Sequence, residues 1–176
     1  AALKLPPMPK SSIDVTLSAS EMKKYLAGRS KLSLSTSPNS LTAVGIDQQL
    51  HYIRSATCCQ SKLEAFGKDY SALLAVNPSA SVVVFSCFSE SIDALKEFTK
   101  KTLNGKNIKG YWLKPNTAAK SRHKAIREFQ DESNTKPKIL AISYKTGQCG
   151  ITLTAASRVY LLEPCLLPSD EVQAAG

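Results

Sequence analysis

One glycine-bearing loop follows an apolar run: Ser143-Tyr144-Lys145-Thr146-Gly147-Gln148-Cys149-Gly150. Backbone N–H groups freed by glycine, a hydroxyl and a lysine are the residue types that suit contact with phosphate. A tight turn needing two glycines reads equally from the same residues. No G-x-x-x-x-G-K-[ST] segment occurs, so the chain carries no loop of its own to cradle a triphosphate. No Asp-Glu pair directly follows a strand, which leaves Mg²⁺ without an evident anchor. His51 and His123 lack a partner at metal-ligand spacing. Cys58, Cys59, Cys87, Cys149 and Cys165 form no C-x-x-C pair, so neither a zinc site nor a disulfide framework is signalled. Buried free thiols in a reducing compartment fit better. Nothing orients a Cys149–His123 nucleophile pair, and no catalytic residue is assigned.

Charge points the same way as the loop. The formal net charge is +9, and the stretch from Lys96 to Arg127 holds ten basic residues against one acid, Glu97. The remainder of the chain is balanced. Lysines and arginines gathered in one place release counterions from a phosphate backbone, which implies a polyanion partner. A solvated lysine-rich surface is the plainer alternative. No run approaches the roughly 18 apolar residues of a membrane span, and no membrane partner is expected.

These residues need a scaffold. Ser12-Ile13-Asp14-Val15-Thr16-Leu17 alternates as a half-buried strand does, and Ser18 with Glu21 reads as a capping box that starts a helix to about Ala27. Gly28 to Asn39 is Ser-rich and reads as a loop. Ile46, Leu50, Ile53 and Thr57 recur at helical spacing, as do Leu63, Phe66, Tyr70 and Leu73. After the turn signal Asn77-Pro78, Val82–Phe85 is an apolar β-branched run, as in a strand buried on both faces. A helix from Phe88 should end near Asn104-Gly105, followed by a strand at 108–113 and a helix at 117–130. Strands at 139–142 and 159–162 complete the alternation. The fold class is α/β with a mostly parallel sheet. Ligands in such sheets gather where strands end, here in the loops that begin at Ser86, Leu113, Ser143 and Glu163. On the 117–130 helix Lys120, Lys124 and Arg127 share one face, while Arg122 falls among Ala119, Ile126 and Phe129. Such an arginine must snorkel to water or meet a partner.

The order of these pieces resembles a known family. Val82-Val83-Val84-Phe85-Ser86-Cys87-Phe88 is similar to motif IV of the Snf-type helicase-like ATPases of superfamily two. Arg122 to Phe129 matches their R-x-x-x-I-x-x-F helix. Ile139 to Pro164, ILAISYKTGQCGITLTAASRVYLLEP, resembles their motif V, an apolar strand and Asp/Glu-Pro. Pro168 and Glu171-Val172-Gln173-Ala174 match the lead-in to motif VI. The ending looks closest to the DNA-damage-tolerance branch, which often carries a RING finger. The chain departs from the pattern at Thr146-Gly147-Gln148, where the family has A-G-G, at Thr152-Leu153 for N-L, and at Lys114-Pro115.

The resemblance implies a three-layer RecA-like lobe, the second of two, over residues 61–176, with 1–60 as its lead-in and an end short of the motif VI arginines. It implies a motor on double-stranded DNA, acting on a nucleosome or other nucleoprotein in the nucleus. ATP and Mg²⁺ would be bound mainly by the first RecA-like lobe, so this chain alone should hydrolyse no ATP. The positions implied to face DNA are Ser86, Ser143, Lys145, Thr146, Gly147 and Arg122, with Gly150 and Gln173 on the ATP-cleft side. A degenerate protein-interaction module, the lobe of an RNA helicase and a nucleotide-binding transferase remain alternatives.

Overall fold

Six consecutive positions, Ser81–Ser86, are buried without exception, and so are the six from Lys138 to Ser143. Strands buried on both faces read as continuous apolar runs, which is what these segments supply. In the computed structural model, which describes residues 9–34, 60–147 and 153–163, they are the two central strands of a four-stranded sheet. With β1 at Ser81–Ser86, β2 at Lys109–Leu113, β3 at Lys138–Ser143 and β4 at Arg158–Leu161, the order is β2-β3-β1-β4. Every neighbouring pair is parallel, and the register sets Ser81 beside Lys138 and Ser86 beside Ser143.

The period-2 alternation of side chains divides the core in two. Val82, Val84, Ile139 and Ala141 face α2 (Gln60–Val76) and α3 (Ser89–Thr102) through Leu63, Phe66, Tyr70, Ile92, Leu95 and Phe98. Val83, Phe85, Leu140 and Ile142 face the other way, onto Phe129 and Ile126 of α4 (Ala119–Gln130) and onto Tyr144. This is the three-layer α/β lobe expected. Each large apolar side chain buried in it contributes about 1.5–3 kcal/mol.

Polar groups fix the layers. Gly67 lies where α2 meets α3; a Cβ there would come 2.7 Å from Phe98 Cζ. At the β4 edge the Asp69 carboxylate accepts from Arg158 Nη1 and from the Tyr160 hydroxyl, each at 2.6 Å. Burial works against ionising Asp69, but the Tyr160 and Arg158 hydrogen bonds outweigh it and hold the carboxyl below its ordinary value. Lys138, only 2% exposed, donates from Nζ to the carbonyls of Phe129 and Asp131. Its ammonium thus caps the C-terminal end of α4, where the helix dipole favours a cation.

Two expectations need correction. Residues 9–18 form no regular element, although Ser12–Leu17 alternates like a strand. A strand needs a ladder partner for its backbone groups, and no described strand runs beside this segment. The following helix, α1 (Ala19–Leu34), runs beyond Ala27 instead of giving way to a loop at Gly28. Gly28 is buried, and the Ser30 hydroxyl donates back to the Ala27 carbonyl, so serine is absorbed without breaking the helix. The capping box forms as expected: Ser18 N–H donates to Glu21 Oε2 at 2.8 Å, and Glu21 N–H to Ser18 Oγ at 3.3 Å. The 46–57 helical pattern lies outside the described residues.

Candidate functional site

Because β1 and β3 run parallel and in register, Ser86 and Ser143 end side by side on one rim of the sheet. Four connections leave from this rim. Cys87-Phe88 leads into α3, residues 114–118 into α4, Tyr144–Gly147 (α5) continues from β3, and Leu162-Glu163 follows β4.

The turn after β3 is locked from inside. The Ser143 and Thr146 hydroxyls lie 2.8 Å apart, and the Thr146 N–H donates to Ser143 Oγ at 3.3 Å. Both residues are buried, at 2% and 3% exposure. The Tyr144 ring packs on Phe85, with centroids 5.4 Å apart, and its hydroxyl donates to the Glu163 carbonyl at 3.3 Å. Lys145 is left on the outside and exposed.

Ser86 has no exposed surface; its hydroxyl lies 2.8 Å from Glu163 Oε2 and accepts the Phe88 N–H at 3.0 Å. Three of the hydroxyls expected to face DNA, those of Ser86, Ser143 and Thr146, therefore point inward. The cause is their position: they terminate or follow central strands whose every residue is covered. Gly147 closes the turn. Arg122 is half-buried on α4, close to the helix start. Gly150 and Gln173 lie outside the described residues.

Glu163, expected only to begin a loop at the end of the last strand and to form part of a motif, is the polar centre of this rim. Its carboxylate accepts from Ser86 Oγ, from the Cys87 N–H at 3.2 Å and from Ser91 Oγ at 2.6 Å. The available signal was indirect: Phe88 precedes α3, and its side chain makes no cap hydrogen bond.

The basic stretch, continuous in sequence, is divided in space. α3 and α4 pack on opposite faces of the sheet. Acids neutralise part of it: Lys100 pairs with Glu97 at 3.0 Å, Lys109 with Glu128 at 3.1 Å and Lys114 with Asp93 at 2.8 Å. Such exposed pairs add little stability. They do locate the charges, since Lys114 sits at the strand C-terminal rim and Lys109 at the opposite end. Lys120 and Arg122, in the first turn of α4, belong to the same rim as Lys145. Among the described residues no group of three His, Cys, Asp or Glu side chains could hold a metal ion.

The profile of the family described as the helicase conserved C-terminal domain matches residues 66–176. The DNA repair protein RAD5 of Saccharomyces cerevisiae is 32% identical over 114 residues, 65% of this chain and 10% of that protein. The transcriptional regulator ATRX of Homo sapiens is 41% identical over 68 residues, 39% of this chain and 3% of that one. The chain thus spans about a tenth of the length of the curated relatives it first matches. Among solved structures, the C-terminal part of the Fun30 ATPase domain superposes with a TM-score of 0.57 at 25% identity, over 68% of this chain and 36% of that chain. The Sulfolobus solfataricus SWI2/SNF2 ATPase C-terminal domain shares the fold, with a TM-score of 0.65 at 20% identity over 84% of this chain and 68% of its own.

Proposed function

Because the chain belongs to the family of helicase conserved C-terminal domains, as an Snf-type lobe of superfamily two, we propose that it is the second motor lobe of an ATP-dependent translocase on double-stranded DNA. The observation that carries this reading is Lys145. It is an exposed cation on a turn whose neighbours are buried and hydrogen-bonded, at the rim where parallel sheets gather ligands. A hydrogen-bonded turn fixes the backbone from which the lysine extends, so only the side chain remains to be ordered when phosphate binds. Arg122 and Lys120 extend the same rim. Contacts of this kind set register on a duplex without reading bases.

On this reading Ser86, Ser143 and Thr146 shape the DNA-facing surface from beneath, and Gly147 lets the backbone approach. Gly150 and Gln173 would line the ATP cleft. The first RecA-like lobe would hold most of the ATP and Mg²⁺, and each cycle of hydrolysis would close and open the cleft to move the lobes along one strand. RAD5 is named a DNA repair protein and ATRX a transcriptional regulator, which favours work on DNA; on this reading the substrate is a nucleosome or other nucleoprotein in the nucleus. Thr146 replaces the family's alanine yet closes a hydrogen bond within the turn, so that departure is accommodated and does not favour a degenerate interaction module.

Fluorescence anisotropy of a labelled duplex against this chain tests the reading. Expected is weak binding, indifferent to sequence, that falls steeply as salt rises. Absence of binding at low salt would remove DNA tracking and put the interaction module first.

A further inference from the structure

Glu163 is 2% exposed, and among the described residues no cation pairs with it. A buried carboxylate is costly unless hydrogen bonds replace its hydration. Three donors do so: the Ser86 hydroxyl at 2.8 Å, the Ser91 hydroxyl at 2.6 Å and the Cys87 N–H at 3.2 Å. Two of them lie at the N-terminal end of α3, where the N-cap residue Phe88 supplies no side-chain acceptor. An acid 72 residues from Ser91 in the chain therefore lies at the positive end of the helix, bonded to the Ser91 hydroxyl and to the N–H of Cys87 just before it. The same residue's carbonyl accepts the Tyr144 hydroxyl, and Tyr144 directly precedes Lys145.

We propose that Glu163 is the positioning residue of the Lys145 turn. One residue engages the loop after β1, the first turn of α3 and the turn after β3, and so joins them into a unit that presents Lys145 at a fixed place. Glu163 touches no DNA itself. The inference rests on the DNA-tracking reading for what Lys145 does, and on geometry alone for what holds it.

Duplex affinity of the chain would be measured by anisotropy for wild type, Lys145→Ala, Glu163→Gln, Tyr144→Phe and the Lys145→Ala/Glu163→Gln double variant. Amide exchange would be followed in the same proteins. Glu163→Gln should weaken binding by roughly 3- to 10-fold, and the double variant should bind no worse than Lys145→Ala alone, since coupled residues are non-additive. Exchange should quicken at Lys145 and Thr146 while the β1 and β3 amides stay protected. Tyr144→Phe keeps the ring on Phe85 and loses only the hydroxyl, so it should give a smaller effect of the same kind. It carries the test if Glu163→Gln does not fold. Additive losses, wild-type affinity in both Glu163→Gln and Tyr144→Phe, or exchange that rises equally over the whole sheet would each overturn the proposal. If Lys145→Ala binds like wild type, the DNA reading fails, and the exchange pattern alone then decides whether Glu163 holds the turn.

Discussion

The Ser91 hydroxyl lies 2.6 Å from Glu163 Oε1, at the end of α3 that Phe88 leaves without a side-chain cap. Hydrogen bonds to a charged group are worth about 1.5–3 kcal/mol, and this one is wholly buried. Ser91→Ala should therefore lower the unfolding free energy in urea by about that much. A loss below about 0.5 kcal/mol would mean that Ser86 and the Cys87 N–H suffice for the carboxylate.

Gly67 and Phe98 are expected to behave as a pair. Alanine is a better helix former than glycine by about 1 kcal/mol, but a Cβ at Gly67 would lie 2.7 Å from the Phe98 ring. Overpacking of a filled core costs about 1–3 kcal/mol, so Gly67→Ala should destabilise the lobe. In a Phe98→Leu background the same change should turn neutral or stabilising. Equal effects in both backgrounds, by denaturant titration, would contradict the account.

Tyr111 presents the opposite case. Its ring is buried edge-on to Phe129, with centroids 6.3 Å apart. Its hydroxyl is buried near Lys109 and Glu128 but meets neither with the geometry of a full hydrogen bond. Removing an unsatisfied buried hydroxyl costs nothing and relieves desolvation. Tyr111→Phe should leave thermal stability unchanged or raise it, by up to about 1 kcal/mol. A marked loss would reveal a partner for that oxygen.

Glu21 gives the acid limb of stability. Hydrogen bonds from Ser61 and Ser18, side chain before backbone, hold its carboxyl at about 2 instead of the ordinary 4.5. A depressed folded-state pKa means that the unfolded chain binds the proton more readily. The contribution is thus complete above pH 4.5 and is lost as pH falls toward 2. Glu21→Gln should flatten thermal stability against pH over that window, with the largest deficit above it. An unchanged acid limb would mean that the Glu21–Ser61 link between α1 and α2 does not persist in solution.

Much of the scaffold was legible because its strands are central. Val82–Phe85 and Ile139–Ile142 are buried on both faces, and a covered strand leaves a continuous apolar run that needs no tertiary knowledge to read. α4 was legible from its spacing, and Ser18 with Glu21 from a local reciprocal bond. What failed depended on distant partners. Ser12–Leu17 has the right alternation but no strand to pair with. The partner that the inward-facing Ser86 hydroxyl meets, Glu163, lies 77 residues further on. The split of the Lys96–Arg127 charge follows from α3 and α4 taking opposite faces, which only the strand order decides.

The salt dependence of duplex binding, wild type against Lys145→Ala, separates a DNA-tracking lobe from any other role of this turn. Each neutralised phosphate adds about 0.9 to the slope of log Kd on log salt. If Lys145 holds a phosphate, the variant should bind more weakly at low salt, equally so on every sequence, with the slope reduced by about one. Identical affinity and identical slope in the two proteins would contradict the account of this lobe as a DNA-tracking element.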